Sequence, residues 1–255
     1  MTSRRTPDPR QGVFSTTLVV DGTPVALDAH LARLAASVRA LYAVELPAAT
    51  RGLALGRARG HALGRLRVIA EPDDAGRVRV DARVEPVERA EVLPGAAGAI
   101  DLRAVVLDDW PAAHKWIDRA VLTTLHERTA PAVPLLVARD GTVRETIRGN
   151  LFVLGADGVL RTPPADGSIL PGVGRAALIA LARELGVEVR ETPMALPELA
   201  SVREAFATNA VRGLEPVRSI DDRPLPGDGV VGPALAGELT ARWFWRDPTR
   251  STLRH

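Results

Sequence analysis

The sequence predicts an α+β fold in two units, a small one over residues 1–108 and a larger one over residues 115–255. Strand-like runs and amphipathic helical segments are mixed along the chain, with no internal repeat. The run Asp108-Asp-Trp-Pro111 interrupts this pattern, so residues 109–114 are the predicted interdomain linker. Of the 255 residues, 46% are hydrophobic, which is ample for a packed core.

The small unit begins with a predicted hairpin followed by a helix. Val13–Val20 is rich in β-branched residues, and Asp21-Gly22 is typical of the turn before a short second strand at 24–27. Asp28 is then the predicted N-cap of a helix, because apolar residues recur three or four positions apart from there to Tyr42.

The rest of the small unit is predicted to contain one short helix and three strands. Residues 50–64, which are rich in Gly and Arg, favour the helix. Residues 65–70 and 77–84 alternate in polarity, and the turn at 71–76 joins them into a hairpin. Residues 102–107 are the last predicted strand of this unit.

The large unit is predicted to combine three helices with short strands. Helical spacing runs over residues 115–127, 172–186 and 233–245, and residues 198–202 form a helical turn. Asp-Gly pairs mark turns between several of the strands. The predicted strands are 134–138, 143–145, 151–154, 159–161, 187–191 and 204–208.

Composition narrows the kind of function. The chain has no cysteine, which excludes disulfides, thiolate metal sites and cysteine nucleophiles. Its 5 histidines lack metal-site spacing, so we expect no metal. The formal net charge is only +2 with both signs interspersed, so we expect no nucleic-acid partner. The N-terminus is polar and no apolar run approaches about 18 residues, so we expect a soluble, cytoplasmic protein with no membrane partner.

Lys115 is the single lysine among 33 lysine and arginine residues. Arginine cannot replace a reactive amine, because its guanidinium stays protonated and does not form an imine. A buried lysine, by contrast, readily shifts to the free amine. Lys115 is therefore the candidate nucleophile, and the alternative interpretation is a surface lysine retained by chance.

An amine-using site requires an electrophilic carbonyl, and the commonest cofactor that supplies one is pyridoxal 5′-phosphate (PLP). Glu145, at a strand end, is the candidate partner of the pyridinium nitrogen. Arg33 on the first helix, the helix start at 170–175 and the turn at 208–210 are candidate phosphate ligands. Each of these features taken alone is equally compatible with an exposed helix, a solvated strand end or an ordinary turn.

Taken in this order, the segments resemble the class IV (fold type IV) PLP-dependent family of branched-chain aminotransferases, D-amino-acid aminotransferases and 4-amino-4-deoxychorismate lyases. The resemblance covers most of the chain, from Phe14 to Trp243. The stretches that carry it are Val13-Phe14 to Asp21-Gly22, His30-x-x-Arg33-Leu34, Lys115-x-x-x-Arg119, Glu145-x-x-x-x-Asn150-Leu-Phe152, Thr162-Pro-Pro to Leu170-Pro-Gly-Val173, and Phe206-Ala-Thr-Asn-Ala to Pro216-Val217.

The resemblance implies a two-domain PLP enzyme, with a small α/β domain, a larger β-barrel-like α+β domain and the site between them. It also implies a homodimer that acts on a small-molecule substrate. Lys115 would be the Schiff-base lysine, Glu145 would pair with the pyridinium nitrogen, and Arg33 would bind the phosphate. The other implied cofactor-binding residues are Leu170, Val173, Gly174, Asn209 and Ala210.

Within the family, the segment around Lys115 resembles the lyases. Branched-chain aminotransferases carry a tyrosine five residues after the lysine, where this chain has Ala120, whereas the lyases carry Lys-x-x-x-Arg, as in Lys115 and Arg119. The resemblance therefore implies a 4-amino-4-deoxychorismate lyase, which releases pyruvate and forms 4-aminobenzoate. An aminotransferase for branched-chain or D-amino acids is the alternative, and a cofactor-free binding protein is a further one. The implied substrate contacts are Ser15, Thr16, Arg119 and Arg212.

Three positions depart from the family pattern. Gly174 replaces the usual threonine, which removes one hydroxyl contact to the phosphate. Asp118 replaces the asparagine of the lyases. Leu18 stands where some lyases have arginine, which leaves the ligand of a substrate carboxylate open.

Overall fold

The computed structural model describes residues 6–227 and 229–244. The sheet of the small unit has four antiparallel strands, namely β1 (Val13–Val20), β2 (Thr23–Pro24), β3 (Leu63–Pro72) and β4 (Val78–Pro86). Their order across the sheet is β2-β1-β3-β4. Both hairpins predicted for this unit are confirmed.

Two helices, α1 (Leu27–Tyr42) and α2 (Thr50–Ala58), pack against this sheet. Because side chains alternate along a strand, the odd-numbered residues of β1 face the helices and the even-numbered ones face the rest of the molecule. The buried core between helices and sheet includes Val13, Val19, Leu34, Val38, Ala54, Leu66 and Val68.

The predicted N-cap of α1 is wrong. The helix begins at Leu27, and its N-cap is Ala26, which adopts a left-handed conformation with φ of 50° and offers no side-chain cap. This backbone turn carries the chain from β2 directly into the helix, two residues earlier than the sequence suggests. Asp28 lies instead in the first helical turn, where its carboxylate pairs with Arg51 at 2.9 Å and is favoured by the helix dipole.

The large unit is built on a second sheet of nine strands, in the order β10-β9-β8-β11-β12-β5-β6-β7 with β13 paired to β12. Strand β5 runs parallel to both β6 and β12, and most other pairs are antiparallel. The strands are β5 (Ile100–Val106), β6 (Val133–Val137), β7 (Val143–Thr146), β8 (Asn150–Leu154), β9 (Leu160–Thr162), β10 (Val189–Glu191), β11 (Glu204–Asn209), β12 (Gly213–Ile220) and β13 (Arg223–Pro224).

A short turn brings β7 beside β8, although the two lie at different places in the sheet order. The six strands from β8 to β7 therefore curve into a barrel-like body, which agrees with the predicted fold class. Strands β12 and β13 were not predicted as separate strands. Residues 213–220 carry Pro216 and two charged residues, which weaken the strand pattern, although β12 forms a hairpin with β11. The other neighbour of β12, β5, is distant in sequence.

Three helices complete the large unit, namely α3 (Ala120–Thr129), α4 (Val173–Glu184) and α5 (Val231–Phe244). Helices α4 and α5 pack on β11, and α5 also packs on β12. The end of the predicted tail helix, Trp245, lies outside the described residues. Within the described part of the chain, no helix has the length and apolar character needed to cross a bilayer.

The strand predicted at 102–107 belongs to the sheet of the large unit, since β5 bonds to β6 and β12 and to no strand of the first sheet. The hydrogen bonding therefore favours a division of the chain between β4 and β5. A boundary at residue 108, with residues 109–114 as the linker, stays a prediction about domains.

Candidate active site

Lys115 lies in an extended segment at the junction of the two units, not at the start of a helix as predicted. The Phe14 amide donates to the Lys115 carbonyl at 2.9 Å, and the Ile117 amide donates to the Gly12 carbonyl at 3.1 Å. Residues 115–117 thus extend the free edge of β1, and α3 can begin only at Ala120. This pairing joins the large unit to the strand that carries several predicted site residues.

A cavity of about 480 Å³ opens beside Lys115 and is lined by residues of both units. Glu145 lines a smaller adjoining cavity, together with Lys115 and Arg119. The structure therefore brings together segments more than a hundred residues apart in the chain. The predicted residues that line the main cavity are Thr16, Arg33, Lys115, Arg119, Leu170, Val173, Gly174, Asn209, Ala210 and Arg212.

Burial lowers the pKa of the Lys115 amine well below its usual 10.5. The positive charges of Arg119 and Arg33 lower it further, whereas the carboxylate of Glu145 raises it. The Lys115 Nζ lies 5.2 Å from the centroid of the Phe14 ring, whose face stabilises the charged form only weakly. Lys115 is thus held close to its neutral, nucleophilic state.

Glu145 on β7 is held by two hydrogen bonds. Its Oε1 accepts from the Leu170 amide at 3.1 Å, and its Oε2 accepts from Asn150 Nδ2 at 2.9 Å. Burial raises the pKa of Glu145 to about 7, against the opposing effect of the Leu170 amide and the nearby cations. Asn150 also donates to the Leu170 carbonyl at 2.9 Å, so it orients the carboxylate, a role we did not predict for it.

Ser15 and Thr16, both predicted substrate contacts, point to opposite faces of β1. Thr16 lines the cavity, and its hydroxyl is buried without a hydrogen-bond partner among the described residues. Ser15 faces α1 instead, where its Oγ accepts from Arg33 Nη2 at 3.0 Å and lies 3.0 Å from His30 Nδ1. Thr17 donates to the Val25 carbonyl. Strand alternation therefore leaves Thr16 as the one hydroxyl of this group on the cavity side.

The turn after β11 lies close to the N-terminus of α4, and both line the main cavity. The Asn209 Oδ1 accepts from the amides of Val211 and Arg212 at 3.0 and 2.8 Å, which fixes the turn. The Leu18 amide donates to the Ala210 carbonyl at 3.1 Å and ties the turn to β1. Leu18 itself packs with Val92 in a buried apolar cluster, so its side chain takes no part in the site.

Gly174 allows the start of α4 to approach this turn closely. A Cβ at Gly174 would lie 3.2 Å from Thr208 Oγ1 and 3.4 Å from the carbonyl carbon of Asn209. The Thr208 hydroxyl therefore lies next to the space that a larger residue at 174 would use. Thr208 lines the cavity and belongs to the 208–210 turn that the sequence offers as a candidate phosphate ligand.

The remaining predicted contacts are two arginines. Arg119 is largely buried, and its Nη2 donates to the Ile147 carbonyl at 2.7 Å. Arg212 pairs with the fully buried Glu215 at 3.3 Å. Asp118, the departure noted above, accepts from the amides of Asp8 and Ala120 at 2.9 and 3.2 Å and so supports the start of α3.

Three further arginines, Arg65, Arg67 and Arg148, also line the cavity and were missed. The alternation Arg65-x-Arg67 on β3 was the available signal, because it places both guanidinium groups on one face. The cavity wall is therefore strongly cationic, which suits an anionic ligand. No cluster of three or more His, Asp or Glu side chains suited to a metal occurs in residues 6–227 and 229–244.

The donor set fits PLP. A near-neutral amine stands beside a buried carboxylate, and a buried arginine and a helix N-terminus face the same cavity. The unpartnered Thr16 hydroxyl and the cationic wall leave ligand contacts for a substrate as well.

Comparison with known proteins agrees with this geometry. The profile of the family described as amino-transferase class IV matches residues 12–220. A branched-chain-amino-acid aminotransferase of Salmonella typhimurium is 38% identical over 123 residues, which are 44% of this chain and 39% of that enzyme. The match thus spans well under half of that relative.

Solved structures share the fold over nearly the whole chain. A fold IV transaminase from Curtobacterium pusillum superposes with a TM-score of 0.79 and 26% identity, covering 91% of this chain and 84% of that one. A 4-amino-4-deoxychorismate lyase from Pseudomonas aeruginosa gives a TM-score of 0.77 and 25% identity, covering 90% of each chain. The chain therefore belongs to the class IV aminotransferase family, whose members are PLP-dependent enzymes.

Proposed function

We propose that this protein is a PLP-dependent aminotransferase that acts on a small amino acid and a keto acid. The observation that carries the proposal is the buried Lys115 amine, held near neutrality between Glu145 and a cavity lined by both units. The similarity to branched-chain aminotransferases supports transamination over the lyase reaction that the segment around Lys115 implied.

Each group has a role that follows from its position. Bound PLP supplies an electron sink that stabilises negative charge at the carbon bearing the substrate amine. Arg33, the amides at Val173 and Gly174 and the Asn209–Ala210 turn hold the phosphate. Glu145, fixed by Leu170 and Asn150, would accept a hydrogen bond from the ring nitrogen of PLP and so keep that nitrogen protonated.

Proton movement falls to Lys115. Because its pKa is lowered, the neutral amine can take a proton from the amine-bearing carbon of the substrate. The same group can then give that proton to another atom of the substrate or cofactor. Thr16 and Arg119 on the cavity wall bind polar groups of the substrate.

The lyase is the second candidate, and one observation favours it. Position 120 is an alanine at the start of α3, so no phenol stands five residues after Lys115, while the Arg119 guanidinium remains at the cavity wall. In that reaction the enolpyruvyl ether leaves as pyruvate and the ring becomes 4-aminobenzoate. The Thr16 hydroxyl, unpartnered in the cavity, is the group placed to assist the departure.

One experiment separates the two candidates. PLP-saturated protein is incubated with a panel of amino acids and 2-oxo acids, and separately with freshly made 4-amino-4-deoxychorismate. Amino transfer with no aminobenzoate supports the proposal, whereas equimolar pyruvate and 4-aminobenzoate without transfer overturn it in favour of the lyase. Lys115→Ala is the control, and turnover retained by this variant would refute both candidates.

A homodimer is part of the proposal, as the family resemblance implies. Light scattering of the purified full chain is expected to give twice the 27.2 kDa mass of one chain. A monomer that is active with PLP would contradict this part alone.

A further inference from the structure

Three side chains between β1 and α1 form a continuous hydrogen-bonded chain, namely Arg33, Ser15 and His30. Arg33 Nη2 donates to Ser15 Oγ at 3.0 Å, and Ser15 Oγ lies 3.0 Å from His30 Nδ1. Only 2% of Ser15 and 3% of His30 is exposed. Water therefore does not compete for these bonds, and each partner depends on the next.

The direction of these hydrogen bonds follows from which of the three side chains can donate a hydrogen. Since Ser15 Oγ accepts from a guanidinium, its own hydrogen is left to donate to His30 Nδ1. That nitrogen must then be unprotonated, which places the imidazole hydrogen on Nε2. A charged imidazole would instead direct an N–H at an oxygen that already faces a cation.

The surroundings of His30 favour this neutral form. Burial and the charges of Arg33 and Lys115 lower the pKa of His30 to about 3. The acceptor at Nδ1 is therefore present at every pH at which the protein would be assayed.

Arg33 has donors to spare at its other edge. A guanidinium carries five N–H groups, and the bond to Ser15 is the one hydrogen bond that Arg33 makes among the described residues. Arg33 also lines the main cavity. One edge of the guanidinium is thus anchored behind β1 while the rest faces the space where an anion binds.

We propose that Ser15 and His30 are positioning residues that hold Arg33 toward the phosphate of the cofactor. The inference rests on the proposed function, which assigns the phosphate to Arg33. A long side chain that is fixed before binding loses less conformational entropy when the ligand arrives. The hydrogen bonds of Ser15 and His30 therefore strengthen phosphate binding although neither residue touches the ligand. Ser15, which the sequence predicts as a substrate contact, acts in this proposal through Arg33.

The test compares PLP with pyridoxal, which lacks the phosphate. Dissociation constants of both ligands for the cofactor-free full chain are measured by absorbance titration. The ratio of the pyridoxal constant to the PLP constant reports the phosphate contact alone. Ser15→Ala is expected to weaken PLP binding about tenfold, the effect of losing a hydrogen bond to a charged group, and to leave pyridoxal binding unchanged.

Substitutions at His30 test whether its Nδ1 accepts the hydrogen bond from Ser15. His30→Leu removes the acceptor and is expected to lower the ratio as Ser15→Ala does. His30→Asn restores an acceptor close to the position of Nδ1 and is expected to recover most of it. Thr17→Val is the matched control, since Thr17 lies on the same face of β1 but donates only to backbone. This variant should lose stability and keep the ratio.

The outcomes distinguish the inference from the proposed function. If Arg33→Gln lowers the ratio but Ser15→Ala does not, the positioning role is refuted and the phosphate role of Arg33 stands. If Arg33→Gln leaves the ratio unchanged, the assignment of the phosphate to Arg33 fails, and the inference with it. Should Ser15→Ala not fold, equal ratios for His30→Leu and His30→Asn overturn the proposal.

Discussion

Burial sets the protonation of the central pair of the site. It is the largest cause of both the lowered pKa of Lys115 and the raised pKa of Glu145. For Lys115 the charges of Arg119 and Arg33 come next and disfavour the charged amine. For Glu145 the hydrogen bond from the Leu170 amide comes next, followed by the nearby cations, and both favour the charged carboxylate. Burial thus favours the uncharged forms of a lysine and a glutamate that would both be charged in water. Groups that can gain or lose a proton near pH 7 are what acid–base chemistry requires.

Glu145 yields a prediction about stability and pH at the scale of the residue. Its pKa is about 7 in the folded protein and 4.5 ordinarily, so the folded state binds the proton more tightly. The associated stability is present below pH 4.5 and is lost as the pH rises through about 7.

Glu145→Gln has no such titration. We compare the two proteins without cofactor. As the pH rises from 4.5 to 7, the free energy of unfolding of the variant is expected to increase relative to that of the parent protein. The expected increase is on the order of 3 kcal/mol, since each pKa unit corresponds to about 1.4 kcal/mol. Urea unfolding of both proteins at several pH values measures the difference. A difference that does not change with pH would show that Glu145 titrates normally.

At the scale of elements, the site depends on how closely β7, β8 and β11 meet. Gly149 lies in the turn between β7 and β8, against the end of β11. A Cβ there would meet the backbone carbonyl of Thr208, with its carbonyl carbon 2.8 Å away, and backbone cannot move aside as a side chain can. The turn that carries Asn209 therefore keeps its place only because residue 149 has no side chain.

We expect Gly149→Ala to destabilise the protein by about 1–3 kcal/mol, as overpacking of a close contact does, and to weaken PLP binding by displacing the 208–210 turn. Gly52→Ala is the control, because Gly52 lies in α2 with open space around it. That variant should gain roughly 0.5–1 kcal/mol from helix propensity. Thermal unfolding and PLP titration measure both effects, and an unchanged PLP affinity in Gly149→Ala would refute the coupling.

Thr208 gives a second prediction at this scale. Its hydroxyl lies beside the start of α4, close to where a threonine at position 174 would place its own. Thr208→Val is therefore expected to weaken PLP binding several-fold, about 1 kcal/mol, with no effect on pyridoxal. Absorbance titrations of this variant with PLP and with pyridoxal measure the two affinities. Equal losses for both ligands would point to a disturbed fold rather than a lost phosphate contact.

At the scale of the whole molecule, the cavity exists only where the two sheets meet. The small unit provides Thr16, Arg33 and Arg67, and the large unit provides Lys115 and the turn at 208–210. A ligand that contacts both units binds the folded protein alone and stabilises it by mass action. PLP at 100 times its dissociation constant is expected to add about 2.7 kcal/mol to the free energy of unfolding. Scanning calorimetry with and without PLP measures this gain, and Lys115→Ala should show a smaller one at the same concentration.

Much of the site could be predicted because the residue type itself carries the information. The single lysine, the Pro-Gly start of α4 and the hairpins of β1 and β3 are local features. The structure places the hairpins and the start of α4 as expected, whereas Lys115 lines the cavity from an extended segment. What could not be predicted depends on partners distant in sequence. Residues 115–117 have helical spacing, yet they pair with β1 because its free edge offers hydrogen bonds that a helix end would leave unmade.

The sequence by itself determined the chemistry available, namely one amine, its acidic and basic companions and the order of the helices and strands. Only the tertiary structure decided which of these groups meet. It placed β5 in the second sheet, turned Ser15 behind Arg33 while Thr16 faces the cavity, and brought Arg67 of β3 to the cavity wall. The physical reason is that the alternation of a strand fixes two faces, whereas packing against distant elements decides which face becomes core and which becomes site.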